Sequence, residues 1–478
     1  MPDRLSALDV SFLYLEEPTT PMHVGSVGVF ETPESGFGFD DLVDVVRERL
    51  AYVPRYRQRV RWVPGNLAHP VWVDDEDFDL TYHVRRSAVP RPGTPDQLRE
   101  LVARIMSRPL DRSRPLWEMY LVEGLEGGRF ALLSKTHQAM VDGISTVDIG
   151  QVVLDTTPHR PEAPADTWTP SAEPSSIELL AGALVDVVRR PGDLLESAQR
   201  TLTDLPRAAA RAVRLLGGAA GGVATAMRTA ARPAPTSPLN VSIGAQRRFA
   251  SVDTSLDDYR AVRRRRGVAI NDVVLATIAG ALRSWLFTRG VRVVSTTTVR
   301  ALVPMSVLTD DSSRSHVAEY ILDLPVGEAN PAMRLQQVAY ATKAHREASH
   351  AVRARALAGM AGFAPPTLHA LGARVASSLS RRVFNLVVTN VPGPQTTLYV
   401  AGAPMVASYP VVPLAKGQAL AIGLTSYKGK VCFGLNADRD AMPDLNVLAQ
   451  CIPDALTELV EAVEQMPTRP DRRARKAH

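Results

Sequence analysis

The chain has 478 residues, 45% of them hydrophobic and 22% charged, with a formal net charge of +5. That length exceeds one ordinary core and that composition excludes a disordered, collagenous or disulfide-stapled chain, so two globular domains are expected. The excess of positive charge gathers in a C-terminal "TRPDRRARKAH", which reads as a solvated tail and not as a nucleic-acid surface.

Taken in order, residues 1–157 mix strand and helix patterns. "MPDRLSALDV" lacks the basic and apolar blocks of a secretory leader. "HVGSVGVFE" alternates as a half-buried strand does, and "FDDLVDVVRERLAYV" repeats at helical spacing, with Asp40 a possible cap. "HPVWVDDEDFDL" is acidic but has no metal-ligand framework, and His23, His69 and His83 lack a matched acid and nucleophile. "PLWEMYLVEGL" and "RFALLSKTH" read as a hairpin closed by Glu126-Gly127-Gly128. On the second strand Ala131, Leu133, Lys135 and His137 share one face, and Phe130, Leu132, Ser134, Thr136 and Gln138 the other. Asp142-Gly143 then offers a turn, with a helix expected from Ile144.

Residues 158–237 open on a Pro-rich linker and continue as an Ala- and Arg-rich connector broken by proline and glycine. From Arg207 to Arg232 it carries arginines and no acid, so a helical connector and an amphipathic membrane-surface helix are both open readings. Its "LLGGAAGGVATAM" is too short to cross a bilayer, and we expect no spanning run of 18–20 apolar residues.

Residues 238–466 form a second α/β region ahead of the basic tail, 467–478. "RRRRG" is a solvated helix end that could also attract a phosphate. "INDVVLATIAGALRSWLFTRG" is a helix with Asn271 as its cap and Gly290 as its stop. "VRALVPMSVL", "FNLVVTNVPGP", "TLYVAG", "ALAIGLTSY" and "KVCFGLNAD" read as strands, and "DLNVLAQCIPDALTELVEAVEQM" as a final helix with a break allowed at Pro453. Cys432 and Cys451 show no metal spacing, and a pair alone does not establish a disulfide. Neither a G-x-S-x-G elbow nor a phosphate loop occurs.

"THQAMVDGIS" places His137 at a strand end, where an imidazole can take a proton from an alcohol at neutral pH. The ordered blocks "LSALDVSFLYLEEPTTPMHVG", "RPLWEMYLVEGL", "INDVVLATIAGALR", "RALVPMSV" and "VVTNVPGP" cover nearly the whole chain. Together they resemble the bacterial wax ester synthase/diacylglycerol acyltransferase family, within the chloramphenicol acetyltransferase-like superfamily. The resemblance implies two such lobes with mixed sheets, a tunnel between them and a helical connector. It implies direct transfer from acyl-CoA, a substrate and not a cofactor, to diacylglycerol or a long-chain alcohol, with no metal. It also implies a cytoplasmic protein attached peripherally to the inner membrane or lipid droplets.

The family's His-His-x-x-x-Asp-Gly motif falls on His137, Gln138, Asp142 and Gly143, so a glutamine stands where the usual general base stands. An amide hydrogen-bonds an alcohol but does not accept its proton near neutrality. Three readings stay open: His137 acts as base, Gln138 only positions the alcohol and catalysis is slow, or the scaffold binds acyl-CoA or neutral lipid without turnover. Pro115 and Trp117 match a structural block, with Trp117 a packing residue. Asn271 and Asp272 match another, as helix caps, and Thr389 and Asn390 are candidate oxyanion donors near the cleft.

Overall fold

The computed structural model describes residues 3–141, 149–160, 166–189, 233–307, 316–351 and 383–466. Asp142, Gly143, the arginine-rich part of the connector and the basic tail lie outside them.

Fourteen strands occur among the described residues. They are β1 (His23–Glu31), β2 (Gln58–Arg61), β3 (Val71–Asp74), β4 (Val84–Ala88), β5 (Trp117–Leu125), β6 (Arg129–His137) and β7 (Arg247–Ser255). β8 (Val299–Val307), β9 (His316–Leu324), β10 (Leu386–Val391), β11 (Tyr399–Val400), β12 (Ala403–Val411), β13 (Leu420–Tyr427) and β14 (Lys430–Asp438) follow. Two six-stranded mixed sheets result, ordered β11-β12-β1-β6-β5-β4 and β7-β14-β13-β10-β8-β9, with β2 and β3 paired apart. Five early helices matter for the site: α1 (Ala7–Leu15), α2 (Phe39–Arg49), α3 (Leu80–His83), α4 (Pro95–Met106) and α5 (Gln138–Val141).

The first sheet is packed on both faces, as the alternation along β6 requires. Ala131 and Leu133 meet Leu101, Val102 and Ile105 of α4, while Phe130 and Leu132 join the core that holds Leu42 and Val46 of α2. The hairpin turn runs through Gly127 and Gly128, both at positive φ, where a side chain would strain the backbone. In the second half, the helices Ile270–Thr288 and Leu445–Glu464 cover the other sheet, and the latter continues through Pro453.

Several expectations are corrected. Ile270–Thr288 is long and apolar enough by length and composition to cross a bilayer, so such a run does exist, but it is 72% buried inside the protein and serves as a core helix. The α2 cap is Gly38, whose N–H donates to Asp41, and not Asp40. The cap of Ile270–Thr288 is Ala269, with Asp272 accepting its N–H, and not Asn271, which is the second residue of the helix. A short helix begins at Gln138, immediately after β6; of the helix expected from Ile144, residues 144–148 lie outside the described residues and Ile149–Val152 is helical.

The division by residue number does not coincide with the division into sheets. β11 and β12, from the region expected to form the C-terminal lobe, complete the N-terminal sheet: β12 runs antiparallel to β1, with Gly25 opposite Val411. β12 also presses on the second sheet. A Cβ on Gly434 of β14 would lie 1.9 Å from the Pro410 carbonyl oxygen, and one on Gly423 of β13 would lie 2.7 Å from Val412. Glycine is required at 434 because two backbones meet there, and at 423 because the Val412 and Pro410 side chains lie against it.

Candidate active site

β6 ends at His137, whose N–H donates to the Leu116 carbonyl, and the next N–H, of Gln138, donates to Met22. Those two bonds pin the strand end between the start of β5 and the start of β1. His23 sits directly opposite His137, their rings edge to face with centroids 6.1 Å apart. Both side chains are buried.

Between them lies a carboxylate that the sequence did not single out. Glu16 follows α1 as its C-cap, and its Oε1 is 3.2 Å from His23 Nε2 and its Oε2 3.7 Å from His137 Nε2. Arg112 Nε donates to Oε2 at 2.9 Å, and the Met22 N–H to Oε1 at 3.3 Å. Burial would raise the Glu16 carboxyl, but His137 and His23 facing it outweigh that and hold it well below the usual carboxylate range. It is therefore an anion throughout the physiological range.

His23 responds in the other sense. Burial pushes its pKa down to about 4, only partly countered by the bond to Glu16, so it is neutral at pH 7. His137 Nδ1 accepts the Ala139 N–H at 3.0 Å, which places the ring proton of a neutral imidazole on Nε2, facing Glu16. Nδ1 is thus committed to the first turn of α5, while Nε2 faces the carboxylate at 3.7 Å without a hydrogen bond. An imidazole so placed braces the strand end and has no lone pair free for a substrate. Gln138 is half-buried, in contrast to His137, and begins α5, so strand alternation no longer sets its direction.

The remaining expected residues fall into two places. Pro115 and Trp117 are buried; Trp117 donates through Nε1 to the Tyr56 carbonyl at 2.7 Å and stacks on His83 at 4.7 Å. Across the join, Asn390 Nδ2 donates to Asn271 Oδ1 at 3.0 Å, and Asn271 Nδ2 to the Tyr320 hydroxyl at 3.2 Å. Asp272 accepts from Thr342 at 2.6 Å besides capping its helix. Thr389 is half-buried on β10, opposite Gly423 of β13. From His137 the path to Thr389 runs through His23 on β1, then β12, then the Val412 contact with Gly423. β12 is thus the element that relates the two candidate segments.

Glu16 was missed because nothing in "LYLEEPTT" distinguishes it from Glu17, which pairs instead with Lys416. Its one sequence signal is membership of the block that ends in His23. Among the described residues no group of three or more His, Cys, Asp or Glu side chains is arranged to hold a metal.

Comparison with known proteins matches this chain to one family. The family model of the wax ester synthase/diacylglycerol acyltransferase catalytic domain matches residues 5–274, and that of the WS/DGAT C-terminal domain matches residues 316–460. A Mycobacterium tuberculosis protein named a probable diacyglycerol O-acyltransferase, tgs3, is 47% identical over 266 residues, which are 55% of this chain and 97% of that one. A second from the same organism, tgs2, is 35% identical over 474 residues, covering 96% and 99% of the two chains. The solved wax ester synthase/diacylglycerol acyltransferase from Marinobacter aquaeolei VT8 superposes with a TM-score of 0.69 at 28% identity, covering 97% of this chain and all of that one. The starter condensation domain of rhizomide synthetase shares the fold at 14% identity and a TM-score of 0.52. The chain is an acyltransferase that belongs to the wax ester synthase/diacylglycerol acyltransferase family.

Proposed function

We propose that this chain moves a long-chain acyl group from acyl-CoA to the hydroxyl of diacylglycerol, giving triacylglycerol, and handles a long-chain alcohol in the same way to give a wax ester. The alcohol oxygen attacks the thioester carbonyl carbon, the C–S bond breaks, and the CoA thiolate leaves. The alcohol's proton ends on the CoA sulfur, so the reaction balances without an acyl-enzyme or a cofactor.

Near-full-length similarity to named diacylglycerol acyltransferases carries the reaction. The division of labour rests on the geometry of His137, whose ring is buried and bonded through Nδ1. In this reading Gln138 orients the acceptor hydroxyl, His137 and Glu16 position the segment that carries it, and Asp142 and Gly143 keep the supporting roles the family motif gives them. Thr389, with Asn390 and nearby backbone amides, supplies donors to the oxyanion. A site without an imidazole at Gln138 forgoes general-base help of about 10²–10⁴-fold. The protein works at a membrane or lipid-droplet surface because both acceptors reside there, and deleting residues 207–232 should weaken its sedimentation with membranes.

The deciding assay follows CoA release from long-chain acyl-CoA with diacylglycerol or hexadecanol, for wild type, His137→Ala, Gln138→Ala and Gln138→His. Wild type should exceed a boiled control, Gln138→Ala should be slower, and Gln138→His faster. Wild type at the level of the boiled control, with Gln138→His active, would overturn turnover by this chain. A wild-type rate that falls on one limb below neutral pH, and that limb lost with His137→Ala, would return the proton transfer to His137.

A further inference from the structure

We propose that a groove lined by arginines between the two halves of the molecule seats the phosphates of the thioester donor's nucleotide end. The inference rests on the acyl-CoA reading above. The groove has a volume of about 680 Å³, inside the range of roughly 300–1,000 Å³ usual for small-molecule sites. One wall is α4 and the turn after it, carrying Arg99, Arg104 and Arg108; the other is the start of β7, with Arg247 and Arg248, and the turn after β14, with Arg439.

Only two carboxylates, Asp96 and Glu100, share the lining with these six guanidinium groups, and Asp96 is paired with Arg99. Converging like charges destabilise a fold unless an anion joins them, and the arginine fork matches a phosphate in two parallel bonds. Arg247 is 5% exposed, donates to the carbonyls of Gly244 and Gln246 at 2.7 and 3.1 Å, and has no ion pair among the described residues. Burial lowers its pKa, to about 10, so it is charged at pH 7. Arg248 Nε is buried with no hydrogen-bond partner, and Arg104 and Arg108 are exposed without an ion pair among the described residues.

The groove abuts the candidate site through its own residues. The Arg247 guanidinium donates to the Thr19 carbonyl, in the loop between Glu16 and His23, and its N–H to Ser107 Oγ at 2.9 Å. The Arg108 carbonyl accepts from Lys135 Nζ at 2.6 Å, two residues before His137. A polyanion held there is held beside the two segments that frame His137, at the join between the halves. The chemistry required is that of a phosphorylated nucleoside, and an anionic lipid headgroup shares it; the test separates the two.

Adenosine 3′,5′-bisphosphate is titrated calorimetrically into the full chain, wild type and Arg104→Glu/Arg108→Glu, with the melting temperature as a check on folding. Wild type should bind saturably, and the double variant at least about tenfold more weakly, because charge-assisted contacts become repulsive. In parallel, the ratio of kcat/KM for acyl-CoA over that for S-acyl-pantetheine, which lacks the nucleotide, should fall at least tenfold in the variant. No bisphosphate binding by wild type, or an unchanged ratio in a variant that turns over, overturns the groove while leaving the acyltransferase reading intact. Arginine-dependent bisphosphate binding without any turnover supports the groove and removes that reading. Loss of binding to phosphatidylglycerol vesicles, with bisphosphate affinity and the ratio unaltered, assigns the groove to a lipid surface and overturns the proposal.

Discussion

Lowering the pH from 7 to 5 should destabilise the N-terminal half by about 4 kcal/mol, through two histidines that the fold keeps neutral. His23 faces Glu16, Lys135 and His137, and burial sets its pKa at about 4. His83 is fully buried against Trp117 and Phe78, with Nδ1 donating to the Trp117 carbonyl at 2.8 Å, and burial likewise sets it at about 4. The unfolded chain takes up a proton on each near pH 6.5, so between 6.5 and 4 it binds more protons than the folded chain. Stability is therefore fully present above about 6.5 and falls as pH falls through that window. Each histidine contributes roughly 2 kcal/mol of loss by pH 5 and about 3.4 kcal/mol once both states are protonated. A domain typically holds only about 5–15 kcal/mol in total, so the effect should be large. Urea unfolding of wild type and His83→Phe at pH 7, 6 and 5 measures it. The variant loses one bond to a carbonyl, about 1 kcal/mol at pH 7, but its drop to pH 5 should be roughly half that of wild type. Equal drops in the two proteins would refute the reasoning.

Glu16→Gln removes the anion that Arg112, His23 and His137 share. We expect about 2 kcal/mol of lost stability, less than for a wholly buried pair because Arg112 is 42% exposed. As a positioning residue it should also lower kcat about tenfold at nearly constant KM for acyl-CoA; a lower melting temperature with unaltered kcat would make it structural only. Gly434→Ala forces a methyl group into the Pro410 carbonyl where β12 crosses the second sheet. A loss of about 3 kcal/mol follows, read as a lower melting temperature and faster proteolysis, and a melting temperature within a degree of wild type would contradict the crossing.

Legibility followed locality. β1, β5, β6, β13 and β14 could be bounded within a residue or two because period-two alternation and glycine turns are written in consecutive residues. β12 could not: "APMVASYPV" carries two prolines and small side chains, and no strand is assigned there from the sequence. Its strand form exists because β1 and β11 flank it, one of them nearly four hundred residues away in the chain. The Asn271 misreading has a similar cause, since an amide suited to capping is drawn instead to Asn390, 119 residues away.

By itself the sequence determined the fold class, the family resemblance, and that Gln138 occupies the usual base position, because residue identity and spacing along one strand settle each of these. Only the tertiary structure decided what the Nε2 of His137 faces. That depends on a carboxylate after α1 and a histidine on β1, at separations of 121 and 114 residues, brought together by antiparallel pairing and burial. The enclosure of Glu16 between the two buried rings is a property of that packing, and no local pattern encodes it.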